Sequence, residues 1–307
     1  MNYNIHNLVR MRINGDFKLK PLDMEFKYFR TDKEVTPDIE VNIGKFEPYN
    51  NDCYQIDNDY FIKEYYLYHK GKDWEVQIDG FPAAGSTSVN FNGHLLTNLN
   101  SPSNPLVDHI LLPIIQRKLK ERGYFLTHCA GVGDILLVGS AYSFKTTIAM
   151  KLVRLGFEFL GDDYIIIKDK IMLSFPRFPS VFHYRLYNKP DEKLNIFDKL
   201  KIRFGQKKCY RIGNQSEIKN VVFLTRMAQN TFDVSNITSK EAKERILINQ
   251  ELEDTYNVYK RYTNVYKSIY PFKEVNPKVN VLNTPAYIVR FSENNIDKVV
   301  RWIKCLD

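Results

Sequence analysis

The chain has 307 residues, 44% apolar and 26% charged, proportions of an ordinary globular protein that exclude a disordered chain, a collagen and a heptad rod. Its length fits two average domains, or one α/β core with a sizeable extension. Lys and Arg number 44 against 36 Asp and Glu, leaving +8; the excess is modest and interleaved with acids, so charge alone does not argue for a nucleic-acid partner.

No run reaches the roughly eighteen uncharged apolar residues that a spanning helix needs. The opening MNYNIHNLVRMRING lacks the apolar stretch of a signal peptide. The expectation is a cytoplasmic protein without membrane contact. Cys53, Cys129, Cys209 and Cys305 are far apart and show no CxxC or Cys/His spacing, which points to isolated reduced thiols rather than disulfides or a zinc site.

Residues 1–104 read as a β-rich, mostly antiparallel N-terminal domain, with strands expected at 8–14, 24–30, 37–46, 60–69, 74–79 and 87–92. Alternation is clearest in PDIEVNI and DWEVQID, where Ile39, Val41 and Ile43, then Trp74, Val76 and Ile78, share a face. The Gly-, Ser-, Asn- and Pro-rich segment GSTSVNFNGHLLTNLNSPSNP marks the boundary. Residues 105–307 then form an α/β unit with C-terminal helical elements. It opens on an amphipathic helix over 105–122, kinked by Pro113 and closed by Gly123. Two strand-like runs, YFLTHCAGV and DILLV, lead through a loop to the helix TTIAMKLVRLG and the strands FEFLGDD and YIIIK, the βαβ rhythm of a phosphate-binding core. Further strands are expected near 171–175, 220–225, 279–282 and 286–291, helices across 239–270, and a last helix at 293–305 capped by Ser292. Tyr256, Tyr259, Tyr262, Tyr266 and Tyr270 form a helical stripe, read as core packing rather than a stacking platform.

The loop in ILLVGSAYSFKTTIAMKLV carries the chemistry. Gly139 is followed by Ser140, Ala141, Tyr142, Ser143 and Phe144, then Lys145, Thr146 and Thr147. In such a loop, backbone N–H groups point at nucleotide phosphates, the lysine neutralises the β and γ oxygens, and a hydroxyl at Thr146 ligates Mg²⁺. Phe144 stands where G-x-x-x-x-G-K-[ST] has its second glycine. If that position needs φ > 0, phenylalanine costs about 1–2 kcal/mol there, and its ring is expected to crowd the phosphates. Seventeen residues after Lys145 come Asp162 and Asp163, ending a strand-like run. One carboxylate can hold the metal while the other orients or deprotonates an attacking hydroxyl; the competing reading is an ordinary surface turn.

The segment THCAGVGDILLVGSAYSFKTTIAMKLVRLGFEFLGDDYIIIK resembles the core of the HPr kinase/phosphorylase superfamily: a histidine before a strand, a hairpin, a P-loop, a helix ending in glycine, and a strand ending in two aspartates. The likeness is greatest to the HPr-kinase-related branch that includes lasso-peptide kinases, with a β-rich N-terminal region and no regulatory domain. It covers roughly residues 105–185, with NVVFLTR at 220–226 a vaguer echo. The resemblance implies a P-loop, HPr-kinase-like nucleotide-binding core using ATP or another NTP with Mg²⁺. Lys145 and Thr146 would meet the triphosphate and metal, Asp162 would assist at the metal, Asp163 would be the catalytic carboxylate, and His128 would sit beside the phosphates. Arg185 falls where related kinases often place Arg-Leu, and with Arg177 and His183 it lies near enough in sequence to clamp a γ-phosphate. The family's later Glu-, Arg- and Gly-containing signature is not recognisable here, so the likeness does not extend to a second metal ligand or to phosphorolysis.

The expected activity is phosphoryl transfer to a hydroxyl, on a serine of a protein or peptide or on a small hydroxylated metabolite. Related bacterial kinases form closed oligomers, which makes a homo-oligomer a possible partner state. Two other readings compete. One is a non-catalytic nucleotide-binding or interaction module whose loop is closed by Phe144. The other is a nucleic-acid binder using the tyrosine stripe and the basic cluster of Lys199, Lys201, Arg203, Lys207, Lys208 and Arg211.

Overall fold

The computed structural model describes residues 1–15, 25–49, 52–82, 85–93, 106–177, 210–254, 266–270 and 284–306. It is a mixed α/β protein, mostly strands with few helices. The chain divides into two compact units, Met1–Gly123 with Asn257–Asn276, and Tyr124–Tyr256 with Pro277–Asp307. The division falls after Gly123, so the helix placed by sequence at the start of the second domain belongs to the first unit.

The first unit contains a nine-stranded sheet. Its strands are β1 (Asn2–Ile5), β2 (Val9–Gly15), β3 (Arg30–Thr31), β4 (Ile39–Ile43), β5 (Tyr54–Asp57), β6 (Tyr60–Lys63), β7 (Tyr66–Lys70), β8 (Trp74–Asp79) and β9 (Thr87–Gly93). They lie in the order β3-β1-β2-β4-β9-β8-β7-β6-β5. All pairings are antiparallel except β2 with β4 and β4 with β9, at the centre. The period-two pattern selects the buried face: Met11, Ile13, Ile39, Val41, Val76, Ile78, Val89 and Phe91 are almost wholly buried. The strand expected over 24–30 is instead a 3₁₀ turn, Lys27–Phe29, leading into the short β3.

A π-helical turn, Leu106–Leu111, runs into helix α1 (Leu112–Glu121). Pro113 lies just past the junction of the π-helical turn with α1, in the first turn of the α-helical part. Gly123 stops the helix at φ 77. Asp38, before β4, ties the end of α1 to the sheet. Its carboxylate accepts from the Arg10 amide at 2.8 Å and from the Arg122 guanidinium at 2.7 Å. Burial pushes the Asp38 carboxyl up, but the Arg10 amide and the Arg122 and Arg10 cations outweigh burial and hold it below its usual value. A carboxyl lowered on folding stabilises above its ordinary pKa, and the benefit is lost as pH falls through the folded value. We expect Asp38→Asn to lower stability by about 1 kcal/mol at neutral pH. Urea titrations should show the gap closing in strong acid; a gap independent of pH would contradict the assignment.

In the second unit the strands are β10 (Phe125–Thr127), β11 (Cys129–Val132), β12 (Ile135–Val138), β13 (Phe159–Gly161), β14 (Ile165–Lys168), β15 (Ile171–Leu173), β16 (Gln215–Glu217), β17 (Asn220–Arg226), β18 (Phe232–Ile237) and β19 (Ala286–Phe291). A six-stranded sheet runs β13-β11-β12-β17-β19-β18, and a four-stranded sheet runs β10-β14-β15-β16. YFLTHCAGV is thus split between two sheets, with His128 at the break. Among the described residues its α-helices are α2 (Lys145–Arg154), α3 (Ser239–Asp254) and α4 (Ile296–Lys304).

The six-stranded sheet is covered on both faces, which is why ILLV and NVVFL read as continuous apolar runs. On one face Ile135, Leu137, Val222 and Val289 meet Ile148 and Leu152 of α2 and Val299 and Ile303 of α4. On the other, Leu136, Val138, Val221 and Phe223 meet Ile165 and Ile167 of the four-stranded sheet and Ala242 and Ile246 of α3. Each fully buried Leu, Ile or Val contributes about 1.5–3 kcal/mol. Ser292 stands before the turn Glu293–Asn295 that leads into α4, but makes no side-chain cap there; its hydroxyl instead bonds Asn230 and accepts from Asn295. Among the described residues, no helix is long and apolar enough to cross a membrane. The strand expected at 279–282 lies outside the described residues.

Candidate functional site

Strands β12, β17 and β19 are mutually parallel, and β11 is antiparallel to both β12 and β13. One edge of the sheet therefore gathers the ends of β12, β13, β17 and β19 together with the start of β11. That edge receives the loop after Val138, the Asp162-Asp163 pair, Arg226 and His128. In open α/β sheets, ligands bind outside such strand ends.

The loop is built around two left-handed residues, Tyr142 at φ 65 and Phe144 at φ 64. Gly139 permits its tight start: a Cβ there would lie 2.6 Å from Ser143 Oγ and 2.8 Å from the Leu224 carbonyl oxygen. Ile148 N–H donates to the Phe144 carbonyl and begins α2. The first turn of α2 holds no acid, and no side chain caps it, so its positive dipole end is uncompensated by carboxylate. Thr146 and Thr147 are half-buried in that turn. The Ser143 hydroxyl is buried and has no hydrogen-bond partner among the described residues. Lys145 is buried, and its Nζ donates to the carbonyls of Gly139 at 2.5 Å and Ser140 at 3.1 Å.

Phe144 occupies the φ > 0 well expected of the missing glycine, but its ring does not crowd the loop. It packs on the core, 6.3 Å from the Phe291 ring, and the Arg226 guanidinium lies 4.7 Å from its centroid. The ring is thus packed against the hydrophobic core. A cleft of about 610 Å³ lies beside the loop, lined by Gly139–Ser143, Leu224, Arg226, Arg245, Ile248 and Asn249 among others, and Phe144 is not in its wall. Tyr142 stands at its rim, 88% exposed.

The acid pair follows Gly161, where a Cβ would come 2.6 Å from the Tyr164 carbonyl oxygen; only glycine permits so tight a turn. Asp162 is buried, whereas the Asp163 side chain is 49% exposed and its backbone left-handed at φ 72. His128 Nε2 lies 3.9 Å from Asp163 Oδ1, an ion pair when the imidazole is protonated. Asn249 of α3 donates to the His128 carbonyl at 3.0 Å. His128, Asp162 and Asp163 share the loop's sheet edge but do not line the cleft.

Arg185, with His183, lies outside the described residues, as do Lys199, Lys201, Arg203, Lys207 and Lys208 of the basic cluster and Tyr256, Tyr259 and Tyr262 of the stripe. Arg211 pairs with Glu158 at 3.0 Å. Tyr266 is buried and its hydroxyl accepts from the Tyr65 amide. Sequence reading missed Arg226, and also Arg245, which pairs with Glu241 one turn earlier on α3 at 2.8 Å. A signal for Arg226 existed: NVVFLTR is a buried parallel run that turns polar where it reaches the loop's edge.

Among the described residues, no three His, Cys, Asp or Glu side chains cluster as a metal cage. No protein-family model matches the chain, and no curated protein matches it in sequence.

Proposed function

We propose that the chain is a nucleoside-triphosphate- and Mg²⁺-dependent phosphotransferase, with residues 139–147 acting as a P-loop and a hydroxyl as acceptor. A serine of a protein or peptide is the favoured acceptor, and a small hydroxylated metabolite the next. The observation that carries this reading is Phe144. Its backbone adopts a left-handed conformation costing about 1–2 kcal/mol for a non-glycine residue, at the position where the phosphate-binding pattern has glycine. Its ring meanwhile is absent from the wall of the adjoining cleft. Strain held at a loop next to a cleft is a mark of function.

In this reading the amides of 140–146 and the Lys145 ammonium bind the β and γ phosphates, and Lys145 exchanges its two loop carbonyls for phosphate oxygens. Thr146 and Asp162 would hold the cation, which neutralises charge between those phosphates. The acceptor oxygen forms its bond to the γ-phosphorus as the bond to the β–γ bridging oxygen breaks. The electron pair leaves with the nucleoside diphosphate, and the hydroxyl proton passes to Asp163.

The non-catalytic reading has one observation in its favour, the closure of Lys145 onto its own loop. Titration calorimetry with ATP and MgCl₂, paired with release of labelled γ-phosphate to water as surrogate acceptor, separates the two. The kinase reading expects binding and slow Mg²⁺-dependent hydrolysis. Binding without turnover favours the module, and no binding of ATP or GTP at millimolar concentration ends the proposal.

A further inference from the structure

Arg226 is set at the end of β17, next to the loop-bearing β12 and in the wall of the same cleft as Gly139–Ser143. Its guanidinium stacks 4.7 Å over the Phe144 ring and pairs with Glu293 at 3.2 Å. We infer that Arg226, braced by Phe144, grips the terminal phosphate of the bound nucleotide and makes the site select triphosphate over diphosphate. The inference deepens the proposed function and rests on it.

A planar cation lying on an aromatic face keeps its N–H edge directed outward, and less motion is lost when it binds an anion. The present partner of that edge is weakly held. Glu293 is 64% exposed and Arg226 48% exposed, and exposed ion pairs contribute little. A terminal phosphate carries more charge than a carboxylate and accepts two parallel N–H bonds from a guanidinium, so it displaces Glu293. The buried Ser143 hydroxyl in the same wall, without a hydrogen-bond partner among the described residues, is a second polar group able to meet an anion there. Phe144 acquires a purpose here. A glycine would relax the loop but leave the arginine without a platform.

The test measures ATP and ADP affinity, each with Mg²⁺, on the full chain, with thermal melts to verify folding. Arg226→Ala is expected to weaken ATP by about tenfold or more and leave ADP unchanged. Phe144→Leu, which retains bulk but loses the ring, should weaken ATP about threefold, and Phe144→Tyr should restore it. Phe144→Gly is decisive in sign: a phenylalanine that merely replaces glycine predicts tighter ATP binding in that variant, whereas a brace predicts weaker ATP with ADP unaffected. Glu293→Gln should leave ATP binding equal or stronger; weakening like that of Arg226→Ala would mean that the ion pair is only structural and would overturn the inference. Equal losses of ATP and ADP in Arg226→Ala would overturn it while the phosphotransferase reading stands. A wild-type chain that binds neither nucleotide removes both.

Discussion

Asp163→Asn is expected to lower phosphoryl transfer by roughly 100- to 10,000-fold, the usual contribution of a positioned general base, with nucleotide affinity unchanged. The substitution isolates the carboxylate because asparagine tolerates the left-handed backbone as aspartate does, and Asp163 sits at φ 72. Alanine there would confound lost chemistry with a distorted turn, since Gly161 is already closed against the Tyr164 carbonyl. Single-turnover release of labelled phosphate from the preformed ATP complex reads the chemical step alone. Unchanged turnover would remove Asp163 from the base role and leave Asp162, buried and earlier in the same turn, as the carboxylate to examine.

Lys145→Ala is expected to weaken ATP binding by at least about a hundredfold, because two hydrogen bonds from an ammonium to phosphate contribute about 1.5–3 kcal/mol each and 1.4 kcal/mol is tenfold. In the free chain the same ammonium closes the loop through Gly139 and Ser140, so loss of the side chain also uncovers two carbonyls. Thermal unfolding separates the effects: loop loosening alone shifts stability without a preference among ligands. Calorimetry that finds ATP affinity intact in the variant would refute a phosphate role for Lys145.

Strand, loop and helix around 135–154 were legible because each has a local signature: four apolar residues for a strand buried on both faces, a break, then a helical period ending at Gly156. β2, β4, β8 and β9 announced themselves by alternation. β1, β5, β16 and β18 did not, since they are short or polar and form because a neighbouring edge supplies hydrogen bonds. The compact units divide after Gly123 and not at the expected boundary before residue 105. The segment before residue 105 has a linker's composition, whereas α1 joins the first unit through Asp38, far away in sequence.

The spacing from Gly139 through Lys145 to Asp162 and Asp163 singled out the candidate groups of the proposed site, because such candidates are read from residue type and from adjacency along the chain. Whether those groups share an edge, where the Phe144 ring goes, and that Arg226 lies over it were decided only by the pairing of β12 with β17 and of β11 with β13. These pairings join residues about 85 positions apart in the first case and about 30 in the second, at a cost set by sheet twist and core packing, and no local pattern encodes them.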